Sequence, residues 1–216
     1  MTTRRSTPAA TRPWWSAATS SLALGWALLA AAGCGLLRGP NVTPPTFYVL
    51  SSSAAPDQVP QGRALSLGLG PITLPPYLDR PQMVRRIAAN ELAFDEFNRW
   101  SESLKENFTR VLGSDLEKLV EIDRLVPFPW YSTAKMDYAV AITVTRFEQQ
   151  PDGQAVLDTR WSIRNAHGEP YVNRDTHLGR PAGTPAEVAA AMSGMTGDLA
   201  RDIALALREL DAQRKP

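Results

Sequence analysis

The chain has 216 residues, and its 23 basic and 22 acidic residues give a formal net charge of +1. This balance lacks the surplus of lysine and arginine that phosphate binding requires, so nucleic-acid binding is not indicated. A single cysteine excludes an internal disulfide, so the stability of the fold must come from an apolar core, which a chain of this length can form as one domain.

The first 33 residues have the three-part pattern of a bacterial secretory signal. Arg4, Arg5 and Arg12 form a basic head, and an apolar stretch follows over residues 17–33. The stretch ends on small residues directly before Cys34, which is typical of a lipoprotein signal. We therefore expect diacylglycerol on the Cys34 thiol, an N-acyl chain such as palmitate, and cleavage that makes Cys34 the first mature residue. Two or more acyl chains give stable membrane anchoring.

An uncleaved membrane-spanning helix is the alternative for the same stretch, which is long enough to cross a bilayer. Its many Ala and Ser residues contribute little hydrophobic free energy, which favours the signal peptide. Two features depart from the usual signals: Ala31 stands where lipoproteins commonly carry leucine, and the Arg4–Arg5 pair lacks the Phe-Leu of twin-arginine export. Without the leader the chain keeps 20 basic and 22 acidic residues, a formal net charge of −2.

A tether is predicted at 34–45, where Gly, Pro, Asn and Thr dominate. It would join the membrane anchor to a single folded domain over 46–216. Within that domain, β-propensity predicts a strand over 46–50. Leucines that alternate with smaller residues predict a second strand over 64–74 with one buried face.

The segment 74–81 contains three prolines, which exclude a regular helix and favour extended geometry. Proline-fixed segments lose little ordering entropy on binding, and tyrosine and arginine are enriched at interface hot spots. Tyr77, Leu78, Asp79 and Arg80 are therefore candidates for partner or subunit contacts. A purely structural role is the equally supported alternative. In that case Tyr77 and Leu78 pack as a lid on the sheet, and Asp79 and Arg80 pair with each other.

Two short strands are predicted next, at 83–87 and 91–94, followed by a helix over 101–120 with one apolar stripe. Ser103 and Glu106 fit a capping box, so the predicted helix starts at either Ser101 or Ser103.

The rest of the chain is predicted to form a short strand at 122–126, an antiparallel meander over 138–178 and a last helix. The sequence Thr-Pro-Ala-Glu at 184–187 is typical of a helix start, and the apolar positions after it lie on one side. Strands with two amphipathic helices and no βαβ alternation predict an α+β fold. We expect a mainly antiparallel sheet with both helices packed on one face.

No catalytic or metal site is indicated. The two histidines, His167 and His177, together with an acylated Cys34, cannot supply a usual zinc site. A serine hydrolase would need a Gly-x-Ser-x-Gly elbow, which the sequence lacks. His167 is interpreted as a solvated turn residue, and Trp100 and Trp161 are predicted to lie in the core.

Several short motifs occur together in an order that is typical of one family, and the run Tyr-Leu-Asp-Arg-Pro-Gln is the most specific of them. The chain resembles the PqiC family of ABC-type transport auxiliary lipoproteins over nearly all of its mature part. The matching stretches are 47–50, 70–75, 77–84, 99–100, 111–112, 137–138 and 146–148.

The resemblance implies a role in the envelope of a Gram-negative bacterium. Lipoproteins of this family work beside MCE-domain proteins, which form hydrophobic tunnels for lipid, and often beside an ABC transporter. The implied place is the periplasmic face of the outer membrane, where the lipoprotein receives the distal end of the tunnel. Gly35 after Cys34 agrees, because the retention residue Asp is missing there. The resemblance also implies a homo-oligomeric ring. It implies no catalytic residue and no cofactor.

The prediction is therefore a non-enzymatic docking protein that supports lipid transport and envelope integrity. A periplasmic carrier that holds an acyl chain between helices and sheet is the alternative, and it requires an apolar cavity there. An envelope hydrolase is a third hypothesis, which activity dependent on His177 would favour.

Overall fold

The computed structural model describes residues 43–55, 63–130, 135–165 and 168–213. The predicted leader, Cys34 and most of the predicted tether lie outside these ranges, as does His167. The elements are β1 Thr46–Tyr48, β2 Leu65–Thr73, a 3-10 turn Pro76–Leu78, β3 Gln82–Ala88, β4 Glu91–Trp100, α1 Leu104–Leu119, β5 Ile122–Pro127, β6 Tyr138–Gln149, β7 Gln154–Asn165, β8 Pro170–Pro181 and α2 Pro185–Gln213.

The eight strands form one mixed sheet around β6. Strand β7 pairs with β6 along one edge, and β8 pairs with β7, both antiparallel and over long registers. Strands β2 and β3 pair in parallel with β6 at its start and at its end. Strand β4 pairs antiparallel with β3, β1 adds to β4 in parallel, and β5 adds to β2 in parallel. The predicted α+β class is confirmed, and the parallel pairs are the part that the sequence pattern did not indicate.

The core lies between the sheet and the two helices. Val140, Ile142 and Val144 of β6 are buried at alternate positions, as a strand with one covered face requires. Helix α2 packs on β6, β7 and β8, α1 packs on β2 and β5, and the helices contact each other. Phe108 of α1 meets Phe147 of β6 edge to face, with ring centroids 5.5 Å apart.

The helix starts differ in how well the sequence predicted them. At α2 the predicted capping box is confirmed: the Gly183 and Thr184 N–H groups donate to the Glu187 carboxylate at 2.9 and 2.8 Å. These bonds hold the pKa of Glu187 below its usual value. At α1 the predicted N-cap position is confirmed, because α1 begins at Leu104 directly after Ser103, but the Ser103 side chain makes no cap hydrogen bond.

Two further boundaries differ from the prediction. Strand β4 continues to Trp100, beyond residue 94, because its far end pairs with both β1 and β3. The proline-rich segment is not extended throughout. The N–H groups of Leu78 and Asp79 donate to the carbonyls of Pro75 and Pro76 at 3.0 and 3.1 Å and close a 3-10 turn.

The segment 50–54, here named the strap, crosses both helices after β1. The Ser51 N–H donates to Ser193 Oγ on α2 at 3.1 Å, and the Ala54 N–H donates to the buried Asp115 carboxylate on α1 at 3.0 Å. Leu50 is buried as well. The strap therefore attaches the start of the domain to both helices. In the described ranges, no helix is long and apolar enough to cross a membrane.

Candidate interaction surface at the Tyr77–Arg80 turn

The four residues predicted as partner contacts lie on the turn between β2 and β3, and they differ in exposure. Asp79 is exposed, whereas Tyr77 and Arg80 are half-buried. Leu78 is only 2% exposed and faces the core. In the folded chain, Asp79, Arg80 and the edge of Tyr77 therefore provide the accessible surface of the turn.

A buried carboxylate fixes the position of this turn. The Tyr77 hydroxyl donates to Glu148 Oε2 at 2.8 Å, and the Arg86 guanidinium contacts Glu148 Oε1 at 3.1 Å. The Phe147 N–H donates to the same carboxylate at 2.9 Å. Glu148 is 1% exposed, and its charge is compensated by these donors, as burial of a carboxylate requires.

The pKa values around Glu148 follow from this arrangement. Burial raises the pKa of Tyr77 to about 12, and the hydrogen bond to Glu148 and its negative charge act in the same direction. Burial lowers the pKa of Arg86, but the hydrogen bond and charge of Glu148 outweigh it, so the net shift is upward. Near neutral pH the site thus holds a neutral phenol and a charged guanidinium on one carboxylate.

Arg80 extends the turn onto strand β4. Its Nε donates to the Tyr77 carbonyl at 2.9 Å, and its guanidinium carbon lies 3.8 Å from the centroid of the Phe94 ring. This distance is within the range of a cation–π interaction. Arg80 therefore pairs with a backbone carbonyl and an aromatic ring, and the predicted local pairing with Asp79 is not observed.

Sequence reasoning missed Glu148, Arg86 and Phe94 as partners of the turn. The stretch 146–148 stood among the family motifs, but no local pattern connects it to a tyrosine 71 residues earlier. The connection arises only because β3 and β6 pair at Arg85 and Gln149. That pairing places the neighbouring residues, Arg86 and Glu148, on the same face.

The contacts of His177 bear on the hydrolase hypothesis. His177 Nδ1 lies 2.8 Å from Asp158 Oδ1, and Arg146 also contacts this carboxylate. Among the described residues, no serine, threonine or cysteine side chain bonds to the His177 ring. The same residues contain no group of three histidine, cysteine, aspartate or glutamate side chains that could hold a metal ion.

Comparison with known families agrees with the sequence and the fold. The family model described as ABC-type transport auxiliary lipoprotein component matches residues 48–204. The chain belongs to this family. The match runs from β1 into the last turns of α2 and so covers the Tyr77–Arg80 turn, Glu148 and the strap. It confirms the resemblance on which the functional expectations rest.

Solved structures support the same fold. Protein XCC0632 from Xanthomonas campestris, assigned to the family DUF330, is similar over 78% of this chain and 99% of its own, with a TM-score of 0.67 and 19% identity. The crystal structure of an uncharacterised protein is similar over 76% and 99%, with a TM-score of 0.60 and 17% identity. A PelC dodecamer from Paraburkholderia phytofirmans is less similar, with a TM-score of 0.38 and 10% identity over 68% of this chain and 95% of its own. No curated protein matches the chain.

Family membership establishes the general role of this auxiliary lipoprotein. It is an auxiliary component of an ABC-type transport system, and as a lipoprotein component it belongs to the cell envelope.

Proposed function

We propose that this auxiliary lipoprotein is a non-enzymatic docking subunit of an MCE/ABC-type lipid transport system. Acyl chains on Cys34 hold it at the periplasmic face of the outer membrane, and the folded domain receives the distal end of an MCE tunnel. The observation that carries the proposal is the family match over residues 48–204. Tethering raises the local concentration of the docking surface, so weak individual contacts suffice, and a ring of copies multiplies them.

The Tyr77–Arg80 turn is the proposed docking contact. Its shape is held by the buried Glu148, so binding orders few additional groups. The turn thus places a cation on Arg80, an anion on the exposed Asp79 and the aromatic ring of Phe94 side by side. Such a mixture suits a polar, partly apolar protein surface at the end of a tunnel.

The chain offers a matched control for testing this contact. Asp79–Arg80 and Asp123–Arg124 are both Asp-Arg pairs, and the second pair lies exposed on the edge strand β5. Alanine at both residues of the turn should reduce the MCE-domain protein that co-purifies from solubilised membranes by about tenfold, the effect of losing roughly 1.4 kcal/mol of binding. Alanine at both residues of the β5 pair should leave co-purification unchanged. Equal recovery with both variants would contradict the proposed contact.

The anchor is tested separately. Cys34→Ser should leave the fold intact and move the protein out of the membrane fraction, because no acyl chain can be attached. Unchanged membrane residence would contradict the anchor. Intact-mass measurement on protein from its native host provides the second readout, since the acyl chains add mass to Cys34.

A lipid carrier is the second candidate, and one groove favours it. This groove, of about 670 Å³, lies between α1 and the β2–β5 edge, with Leu69, Leu125 and Phe128 on its apolar side. Lys105 and Glu117 line the helix side, so an acyl chain there would lie beside charged groups. Stoichiometric phospholipid in mass spectra of the purified protein would favour the carrier over the docking subunit.

A further inference from the structure

Half of the exposed large apolar side chains of the described residues lie on or beside the β1–β4 edge of the sheet. Phe47 is 59% exposed and Phe97 is 53% exposed, and Val49 and Phe94 accompany them. These four residues are here named the aromatic edge. Exposed apolar side chains that occur singly need no explanation, but a cluster marks an interaction surface.

Strand pairing places these side chains together. Strand β1 runs parallel to β4 with Phe47 opposite Arg99 and Tyr48 opposite the buried Trp100. Arg99 lies opposite Gln82 of β3, and Val84, two residues later on β3, lies opposite Phe94. Since side chains two residues apart on a strand share a face, Phe47 and Phe94 point to the same face of the sheet. Phe97 lies beside them, in the part of β4 between Asp95 and Arg99.

An irregularity in β4 projects Phe97 further. Pairing with β3 passes from Arg99 directly to Asp95, so the residues between them are extra on the β4 side. Asp95 Oδ1 accepts the N–H groups of Phe97 and Asn98, both at 3.0 Å, which fixes the shape of this bulge. Phe97 is therefore exposed on a rigid backbone, and its exposure does not depend on a mobile loop.

The charges around the aromatic edge suit a polar–apolar boundary. The Arg80 guanidinium carbon lies 3.8 Å from the centroid of the Phe94 ring, and Arg99 pairs with Glu96 at 2.9 Å. Aromatic rings with guanidinium groups at their margin are typical of side chains that sit where lipid headgroups meet acyl chains.

The aromatic edge also lies where the tether enters the fold. Phe47 follows Cys34 by 13 residues, so the chain can separate their Cα atoms by at most about 45 Å. Of the exposed large apolar residues in the described ranges, Phe47 and Val49 are the nearest to Cys34 along the chain. A lipid anchor on Cys34 would thus be joined to the folded domain at the strand that carries Phe47.

We propose that the aromatic edge of Phe47, Val49, Phe94 and Phe97 inserts into the headgroup region of the bilayer that holds Cys34. The inference rests on the lipid anchor of the proposed function and gives the domain a fixed orientation on the membrane. Insertion is an intramolecular step once the anchor is in place, so a small apolar patch suffices. The Tyr77–Arg80 turn, joined to the edge through Arg80 and Phe94, then lies at the membrane margin.

The acylated cysteine makes a sharp test available. Because Cys34 is the only cysteine and its thiol is occupied in the lipoprotein, Phe97→Cys introduces a unique site for a nitroxide label. Phe128→Cys is the matched control, since Phe128 is 52% exposed and directly follows β5, which lies at the other end of the strand order β1-β4-β3-β6-β2-β5. Both lipoproteins would be reconstituted into vesicles of phosphatidylethanolamine and phosphatidylglycerol, and label depth measured by paramagnetic relaxation with oxygen and a water-soluble nickel complex.

We expect the label at residue 97 to lie about 5–10 Å into the headgroup–acyl boundary, the usual depth of interfacial side chains. The label at residue 128 should remain fully accessible to the nickel complex. Adding Phe47→Ser to the first protein should raise the nickel accessibility of residue 97. Circular dichroism of each labelled protein establishes that it is folded.

Other results would overturn either the aromatic-edge inference or the lipid anchor. Equal water accessibility of both labels, on protein that floats with the vesicles, would overturn the aromatic-edge inference and leave the anchor standing. Protein that does not float with the vesicles would overturn the anchor itself. Strong dipolar broadening between labels at residue 97, together with low accessibility to both oxygen and the nickel complex, would show that a second copy covers the edge, and would also overturn the inference.

Discussion

Replacing Glu148 by alanine tests whether one carboxylate holds the Tyr77–Arg80 turn in place. Removing one partner of a buried ion pair costs about 3–5 kcal/mol. The Arg86 side chain is 21% exposed and can turn toward water, so we expect a loss of about 2–3 kcal/mol in the free energy of unfolding for Glu148→Ala. Tyr77→Phe removes only a hydroxyl donor and should cost about 1 kcal/mol.

The assay is thermal and urea unfolding of the mature protein, followed by circular dichroism. For a domain of this size, the expected loss in Glu148→Ala corresponds to a fall in Tm of about 5–10 °C. Asp79→Ala, on the exposed side of the same turn, is the control and should change stability by less than about 0.5 kcal/mol. If Glu148→Ala were as stable as the Asp79→Ala control, the carboxylate would not fix the turn. The claim that the Tyr77–Arg80 turn is a rigid docking surface would then be refuted.

Two further predictions concern helix α2. A Cβ on Gly197 would overlap Ser53 Oγ and lie 3.2 Å from the Ala54 backbone nitrogen in the strap, so Gly197→Ala should destabilise the domain by about 1–3 kcal/mol in urea unfolding. Gly194→Ala is the control, because the added Cβ would meet only the movable end of the Arg180 side chain; this change should be neutral or stabilising by up to about 1 kcal/mol. Similar losses of unfolding free energy at both positions would refute the role of the strap. Folding lowers the pKa of Glu187 below its usual value of 4.5, so the stabilising effect of this carboxylate is present above about pH 4.5 and is lost as the pH falls through the folded pKa. The difference in unfolding free energy between wild type and Glu187→Gln should therefore shrink as the pH falls below about 4.5. A difference that does not change with pH would contradict this expectation.

Local patterns predicted the elements well where one periodicity dominated. The buried alternation in β6 and the capping box before α2 were both correct, because each depends on residues close together in sequence. Trp100 and Trp161 lie in the core, as predicted. The parallel pairs of the sheet join strands that are distant in sequence, so no local pattern could indicate them.

The candidate site was only partly predictable for the same reason. Proline content and residue types drew attention to the Tyr77–Arg80 turn, and the turn is ordered. The buried position of Leu78 and the link from Tyr77 to Glu148 depend on where β3 meets β6. Phe97 stood in a stretch with no clear period, since a bulge interrupts the alternation of β4 there. The contacts of all four turn residues with a partner stay predictions.

The strap has a consequence for how the lipoprotein could be shed from its membrane. Thr46–Tyr48 pairs with β4, Leu50 is buried, and the backbone beyond it bonds to both helices. A protease that cut once after Ala55 would sever the polypeptide, but the acylated fragment would stay bound to the folded domain through these contacts. Release would require this fragment to be extracted, with Leu50 exposed to water and the Asp115 carboxylate stripped of its donors. A single nick would therefore weaken the hold on the bilayer without abolishing it.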